Sequence, residues 1–181
     1  VNLPNIISLA RLFAAPLAVW LILSGESDLA FWVFIAAGIS DGIDGFIAKR
    51  FDLATELGGY LDPIADKTLL VGVYVALGQE GMIALWLVIL VVFRDLLIVG
   101  GAILLWLMGR GLIMAPLMVS KINTVVQIVL AATLLGGAGF DINVGWIVDG
   151  LTFIVAVTTV ASGALYVVTW TRRATGAEVG S

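Results

Sequence analysis

Six apolar runs, each close to the length of a bilayer crossing, dictate what this chain can become. A helix rises about 1.5 Å per residue, so spanning about 30 Å of hydrocarbon takes about 20 apolar residues. Runs of this kind lie at 8–24, 29–50, 61–78, 82–107, 116–137 and 147–170. Composition rules out the soluble alternative: 61% of residues are hydrophobic and 12% charged, against about 45–50% and about 25% in a soluble domain. A water-facing surface on a chain this size would have to carry large apolar patches. The expected architecture is therefore an all-α integral membrane protein, one polytopic domain over 1–181 with six transmembrane helices. Asn2-Leu3-Pro4-Asn5 forms a short N-terminal interfacial lead-in, with Pro4 tolerated near a helix start. No small-residue cleavage site follows the first apolar stretch, which reads as a retained span rather than a signal peptide. Ser24-Gly25-Glu26-Ser27-Asp28, Gly78-Gln79-Glu80-Gly81 and Gly136-Gly137-Ala138-Gly139 are the expected turns. Trp32, Trp86, Trp146 and Trp170 fall near span ends, where indole rings anchor at the interface.

Charge orients the spans. Loops after the first, third and fifth carry Glu26, Asp28, Glu80 and Asp141 without Lys or Arg. The opposite side collects Arg11, Lys49, Arg50, Lys67, Arg110, Lys121, Arg172 and Arg173. By the positive-inside rule that side is cytoplasmic, and both termini lie there. Arg94 stays within a span beside Asp95; neighbours on a helix point about 100° apart, so direct pairing between them is not the expected geometry.

The chain has no Cys and no His. Disulfides, thiolate nucleophiles, Cys/His zinc sites and Ser-His-Asp triads are excluded. The 13 acids outnumber the 9 bases, and no basic tract suggests nucleic acid as a partner.

One stretch breaks the apolar pattern. Ser40–Lys67 holds five Asp, four of them in two pairs: Asp41 with Asp44, and Asp62 with Asp66. Spacings of three and four put each pair on one helix face. A turn over 51–60, around Gly58-Gly59, would make the two helices antiparallel neighbours, and four carboxylates would converge just below the membrane surface. Clustered anions repel strongly at low dielectric, so they must be protonated or held by cations. Two readings follow. Hard divalent cations with oxygen shells (Mg²⁺, Mn²⁺ or Ca²⁺) suit this ligand set. Alternatively, Lys49, Arg50 and Lys67 neutralise the acids as helix-end ion pairs. Gly42, Gly45 and Ala48 leave room beside the carboxylates, either for a ligand near the backbone or for close helix packing.

Asp41-x-x-Asp44-Gly45-x-x-Ala48-Lys49, then Gly58-x-x-x-Asp62-x-x-x-Asp66, resembles the signature of the CDP-alcohol phosphatidyltransferases, eight positions with their spacings over 26 residues. One position departs: the family usually has Arg where Lys49 stands, and Arg50 follows it, which keeps the charge but not bidentate phosphate binding at Lys49 itself. The resemblance implies six spans with cytoplasmic termini, a homodimer, and an active site on the cytoplasmic side, here of a bacterial inner membrane. It implies a CDP-linked lipid donor, usually CDP-diacylglycerol, whose phosphatidyl group passes to an acceptor hydroxyl with release of CMP. By position, Asp41, Asp44, Asp62 and Asp66 are the ligands of two divalent cations, Mg²⁺ or Mn²⁺. Asp66 is the implied general base, with Asp62 the second catalytic carboxylate. Asp41, Asp44, Gly45, Ala48, Lys49 and Gly58 are the implied CDP-lipid contacts.

Residues outside the signature bear on the acceptor, a lipid or a polyol. Arg94-Asp95 and Ser120-Lys121-Ile122-Asn123-Thr124-Val125-Val126-Gln127 resemble the CDP-alcohol-type cardiolipin synthases, which join CDP-diacylglycerol to phosphatidylglycerol. Arg94, Asp95, Arg110, Lys121 and Asn123 are the acceptor-binding candidates this implies. Phosphatidylglycerophosphate synthases, which use glycerol 3-phosphate, typically have Arg-Glu and a second Arg eight residues on; here that position is Ala102. A dianionic acceptor needs several cationic donors, so its absence favours the singly charged diester. An intramembrane ion pair for Arg94-Asp95, and interhelical hydrogen bonding for Ser120, Asn123, Thr124 and Gln127, are the structural alternatives. A cation transporter using the four Asp is a distant third reading, weakened because the acids sit at one membrane edge and no polar path continues from them.

Overall fold

The computed structural model describes the backbone of residues 3–51, 56–107 and 118–174, and the side chains of 9–40, 65–101 and 118–171. It is all-helical over the described residues: α1 (Leu3–Leu23), α2 (Ser27–Phe51), α3 (Glu56–Gln79), α4 (Leu85–Leu107), α5 (Met118–Gly139) and α6 (Gly145–Ala174). Each helix coincides with one of the six apolar runs to within a few residues at the ends, apart from α1, α3 and α6, which extend further. Among the described residues, α5 over Met118–Gly139 and α6 over Gly145–Thr171 are long and apolar enough to cross a membrane.

Three expectations are corrected. The interfacial lead-in is not separate: α1 already includes Leu3, Pro4 and Asn5, because Pro in a first turn lacks an N–H that no helix bond requires there. The turn expected over 51–60 is helical at Phe51 and from Glu56 onward, so Gly58 and Gly59 lie in the opening turns of α3. Gly136–Gly139 closes α5 instead of forming a turn.

Those glycines serve packing. A Cβ on Gly139 would stand 2.6 Å from both the N and Cα of Asp28, at the start of α2, and one on Gly136 would be 3.3 Å from the Phe31 ring. Backbone cannot yield as a flexible side chain can. Gly139→Ala is therefore expected to cost about 1–3 kcal/mol through overpacking, read as a lower unfolding midpoint of the purified protein in detergent.

The helix ends close with C-terminal caps. Glu26 N–H donates to Leu21 C=O at 3.0 Å and Gly25 N–H to Ile22 C=O at 3.1 Å, with Gly25 at φ 79°. Met82 to Leu77 (2.9 Å) and Gly81 to Gly78 (3.2 Å) repeat the pattern, with Gly81 at φ 73°. This is the Schellman arrangement, in which a left-handed residue turns the chain back on the last carbonyls. After α5 the left-handed residue is Asp141, at φ 54°.

The chain divides into two compact units, Val1–Leu85 with Ala131–Val148, and Trp86–Leu130 with Asp149–Ser181. In the first, α1 packs against α2 and α3. Arg11, Ala15, Ala18 and Ile22 form its buried stripe, and Ala65, Leu69, Val73 and Leu77 that of α3, both at the three-to-four spacing of one helix face. In the second, the buried stripes change from apolar to polar along each helix: Leu87 and Val91 to Arg94 and Asp95 on α4, Leu130 to Gln127 and Asn123 on α5, Val155 to Thr159 and Ser162 on α6. Trp170 lies against Gly101, where a Cβ would collide with its ring. Outward-facing Phe13, Trp20, Trp32, Trp86, Phe93, Leu96, Trp146 and Phe153 are all more than half exposed.

Candidate active site

The acidic pairs are set by the backbone of the first unit. Arg11 of α1 meets Asp66 of α3, and further along Val19 meets Gly72, so α1 and α3 run parallel. α2 returns antiparallel to α1, its Val33, Ala36, Ala37 and Ser40 facing Ala10, Arg11 and Ala14 across a crevice of about 350 Å³. α2 and α3 are therefore antiparallel, as the short connection between them predicts. Asp41 precedes the end of α2 by 10 residues and Asp66 follows the start of α3 by 10, so each lies about 15 Å along its own helix from the connecting segment. Asp44 and Asp62 are 7 and 6 residues from the same ends.

Asp66 is the member of the four whose side chain is described. Its Oδ1 accepts a 2.7 Å bond from Arg11 Nη1; the Arg11 side chain is 1% exposed and that of Asp66 43%. Gly45, Ala48 and Lys49 lie on α2, and Gly58 and Asp62 on α3, but their side chains, with those of Asp41 and Asp44, lie outside the described residues, as does Arg110 altogether. The donor chemistry of the four positions fits a hard divalent cation: oxygen ligands only, in helically phased pairs, with the described carboxylate open to solvent.

The second unit holds a buried polar cluster on α4, α5 and α6. Arg94 Nη1 donates to Asp95 Oδ1 at 2.6 Å. Its Nε and Nη2 donate to Ser162 Oγ at 3.2 and 2.6 Å, and Nη2 also to Ser120 Oγ at 2.5 Å. The expectation that Arg94 and Asp95 do not pair is thus corrected. The long Arg side chain bends across the 100° between neighbouring positions, because the interior offers the guanidinium no water. Arg94 is 3% exposed. Asn123 is fully buried, its Oδ1 accepting from the hydroxyls of Thr158 and Thr159 at 2.8 and 2.9 Å. Lys121 is exposed.

Sequence reasoning passed over Arg11, counted only as a cytoplasmic-side cation, and Ser162, Thr158 and Thr159. A usable signal existed for Arg11: a cation inside the apolar run Leu9–Val19 is costly unless it has work to do. Nothing in sequence marks Ser162, which reaches Arg94 from 68 positions away.

Known proteins similar to this chain point to one family. The family model described as CDP-alcohol phosphatidyltransferase matches residues 1–170. The chain is 35% identical to the CDP-diacylglycerol–glycerol-3-phosphate 3-phosphatidyltransferase 1 of rice chloroplasts, over 91% of this chain and 56% of that one. It is 31% identical to the human CMP-forming cardiolipin synthase, over 91% of this chain and 60% of the relative. It is also 31% identical to the CDP-diacylglycerol–glycerol-3-phosphate 3-phosphatidyltransferase of Bacillus subtilis, over 91% of this chain and 93% of that one. The chain thus spans a little over half the length of its rice and human relatives and nearly all of the bacterial one.

Proposed function

Because this chain belongs to the CDP-alcohol phosphatidyltransferase family, we propose that it transfers the phosphatidyl group of CDP-diacylglycerol to a hydroxyl of phosphatidylglycerol, giving cardiolipin and CMP. The observation that supports the chemistry is the Asp66 carboxylate of α3, part-exposed and bonded by the buried Arg11, with the Asp41/Asp44 pair on the antiparallel α2. Asp66 accepts the acceptor's proton as its oxygen bonds to the phosphatidyl phosphorus, and the bond from that phosphorus to the bridging diphosphate oxygen breaks as CMP leaves. Two Mg²⁺ or Mn²⁺ ions, held by Asp41, Asp44, Asp62 and Asp66, would neutralise diphosphate charge when bound. Gly45, Ala48 and Gly58 admit the cytidine end, and Lys49 the phosphates.

Arg94 supports the acceptor assignment. Its guanidinium is buried and committed to Asp95, Ser120 and Ser162, and Ala102 supplies no second cation. A dianionic acceptor would need more charged donors than this set offers. Arg94, Asp95, Arg110, Lys121 and Asn123 are assigned to selecting a singly charged diester. The second reading is glycerol 3-phosphate as acceptor, favoured by the names of the rice and Bacillus relatives.

In the membrane we infer six spans with both termini and the acidic pairs on the cytoplasmic side, as a homodimer. Support comes from six apolar helices, outward-facing aromatic side chains and the loop-charge asymmetry.

The test offers phosphatidylglycerol and glycerol 3-phosphate separately to purified protein with CDP-diacylglycerol. CMP is expected with phosphatidylglycerol, lost with chelator and restored by Mg²⁺ or Mn²⁺. Turnover with glycerol 3-phosphate alone reverses the choice of acceptor. Turnover that survives exhaustive chelation removes the metal role.

A further inference from the structure

We propose that Arg11 is a positioning residue for the reaction: its guanidinium fixes the direction of the Asp66 carboxylate. The inference rests on the reading of Asp66 as metal ligand and general base.

The α1–α3 seam is made of small side chains at this level. Ala15 and Ala18 on α1 and Ala65 on α3 are each at most 2% exposed, and further along the seam a Cβ on Gly72 would come within 3.1 Å of Val19. Close helix approach lets a fully buried guanidinium on one helix reach a half-exposed carboxylate on the other. Arg11 Nη1 lies 2.7 Å from Asp66 Oδ1, a length typical of a charge-assisted bond.

An Asp side chain turns about two torsions. Tethering one oxygen to a guanidinium packed in the helix seam, 1% exposed, limits both, and so sets where the rest of the carboxylate points. An ionised carboxylate offers about four acceptor sites, and the Arg11 bond takes one of them. Lys67, next in sequence to Asp66, would bring its charge on a flexible four-carbon stem; Arg11 brings a planar fork held in the interior. A merely structural pair would need neither the half-exposed partner nor the rigid donor.

The experiment compares parent protein, Arg11→Gln and Arg11→Lys, purified in nanodiscs. Each is measured for kcat, for KM with CDP-diacylglycerol and with acceptor, for Mn²⁺ affinity by electron paramagnetic resonance without substrate, and for thermal unfolding. Removing the outer partner of a metal ligand typically costs about 10–100-fold. Arg11→Gln is expected to lose that much kcat, with both KM values held within about threefold and Mn²⁺ bound at least about tenfold more weakly. Arg11→Lys should fall between it and the parent. Parent-like kcat and Mn²⁺ affinity in the folded fraction of Arg11→Gln would overturn the inference and leave Arg11 a packing residue. Should the Gln variant not fold, the Lys variant decides, and parent-like values there overturn it. CMP release that needs Asp66 but ignores Arg11 refutes only this inference, whereas no CMP release from the parent protein refutes the functional reading beneath it as well.

Discussion

Asp66→Asn is expected to lower CMP release by about 10²–10⁴-fold, the usual worth of a general base. The exchange is nearly isosteric, and the amide oxygen can still accept the Arg11 N–H that now reaches Oδ1 at 2.7 Å. The helices should therefore persist, with an unchanged far-ultraviolet circular dichroism spectrum. Asp62→Asn, four residues away on the same face of α3, should also abolish turnover. Folded protein of either variant turning over near the parent rate would remove the acidic pairs from the chemistry. The measurement is CMP release per folded enzyme, in saturating Mg²⁺ so that weakened binding alone cannot account for the loss.

Arg94→Met tests the other unit. The substitution strips Asp95, 7% exposed in its side chain, of a guanidinium partner at 2.6 Å, and leaves Ser120 and Ser162 without theirs. Removing one member of a buried ion pair typically costs about 3–5 kcal/mol, which should appear as a large fall in unfolding midpoint. Arg94→Met combined with Asp95→Leu removes both charges and should recover most of that stability, since apolar replacements of a buried pair are often neutral. Activity separates the roles. If the pair selects the acceptor, the stable double variant still binds CDP-diacylglycerol but shows a raised KM for phosphatidylglycerol. If the pair is structural only, the double variant keeps the parent KM.

Much of this was legible in sequence because the signals were local. Apolar runs mark the six helices, since a lipid environment requires long uninterrupted stretches and backbone bonds satisfied within each segment. The two Asp pairs can be phased on helices by counting, and their positions fall on α2 and α3. Glycine is a poor guide to helix ends in this chain. Gly58-Gly59 and Gly136–Gly139 are helical, the latter because bulk at Gly139 would meet the backbone at Asp28. Contacts distant in sequence were hidden. Arg11 to Asp66 spans 55 positions and Arg94 to Ser162 spans 68, and no local pattern encodes either. The Arg94–Asp95 pair failed for a different reason: Cβ directions were used for a side chain long enough to bend back on its neighbour.

The most direct test supplies purified protein with CDP-diacylglycerol, Mg²⁺ and phosphatidylglycerol bearing deuterated acyl chains, and weighs the lipid product. Transfer to phosphatidylglycerol predicts cardiolipin with one labelled and one unlabelled phosphatidyl half, formed one-to-one with CMP. CMP without labelled cardiolipin, or phosphatidylglycerophosphate as the product when glycerol 3-phosphate is added, would contradict it.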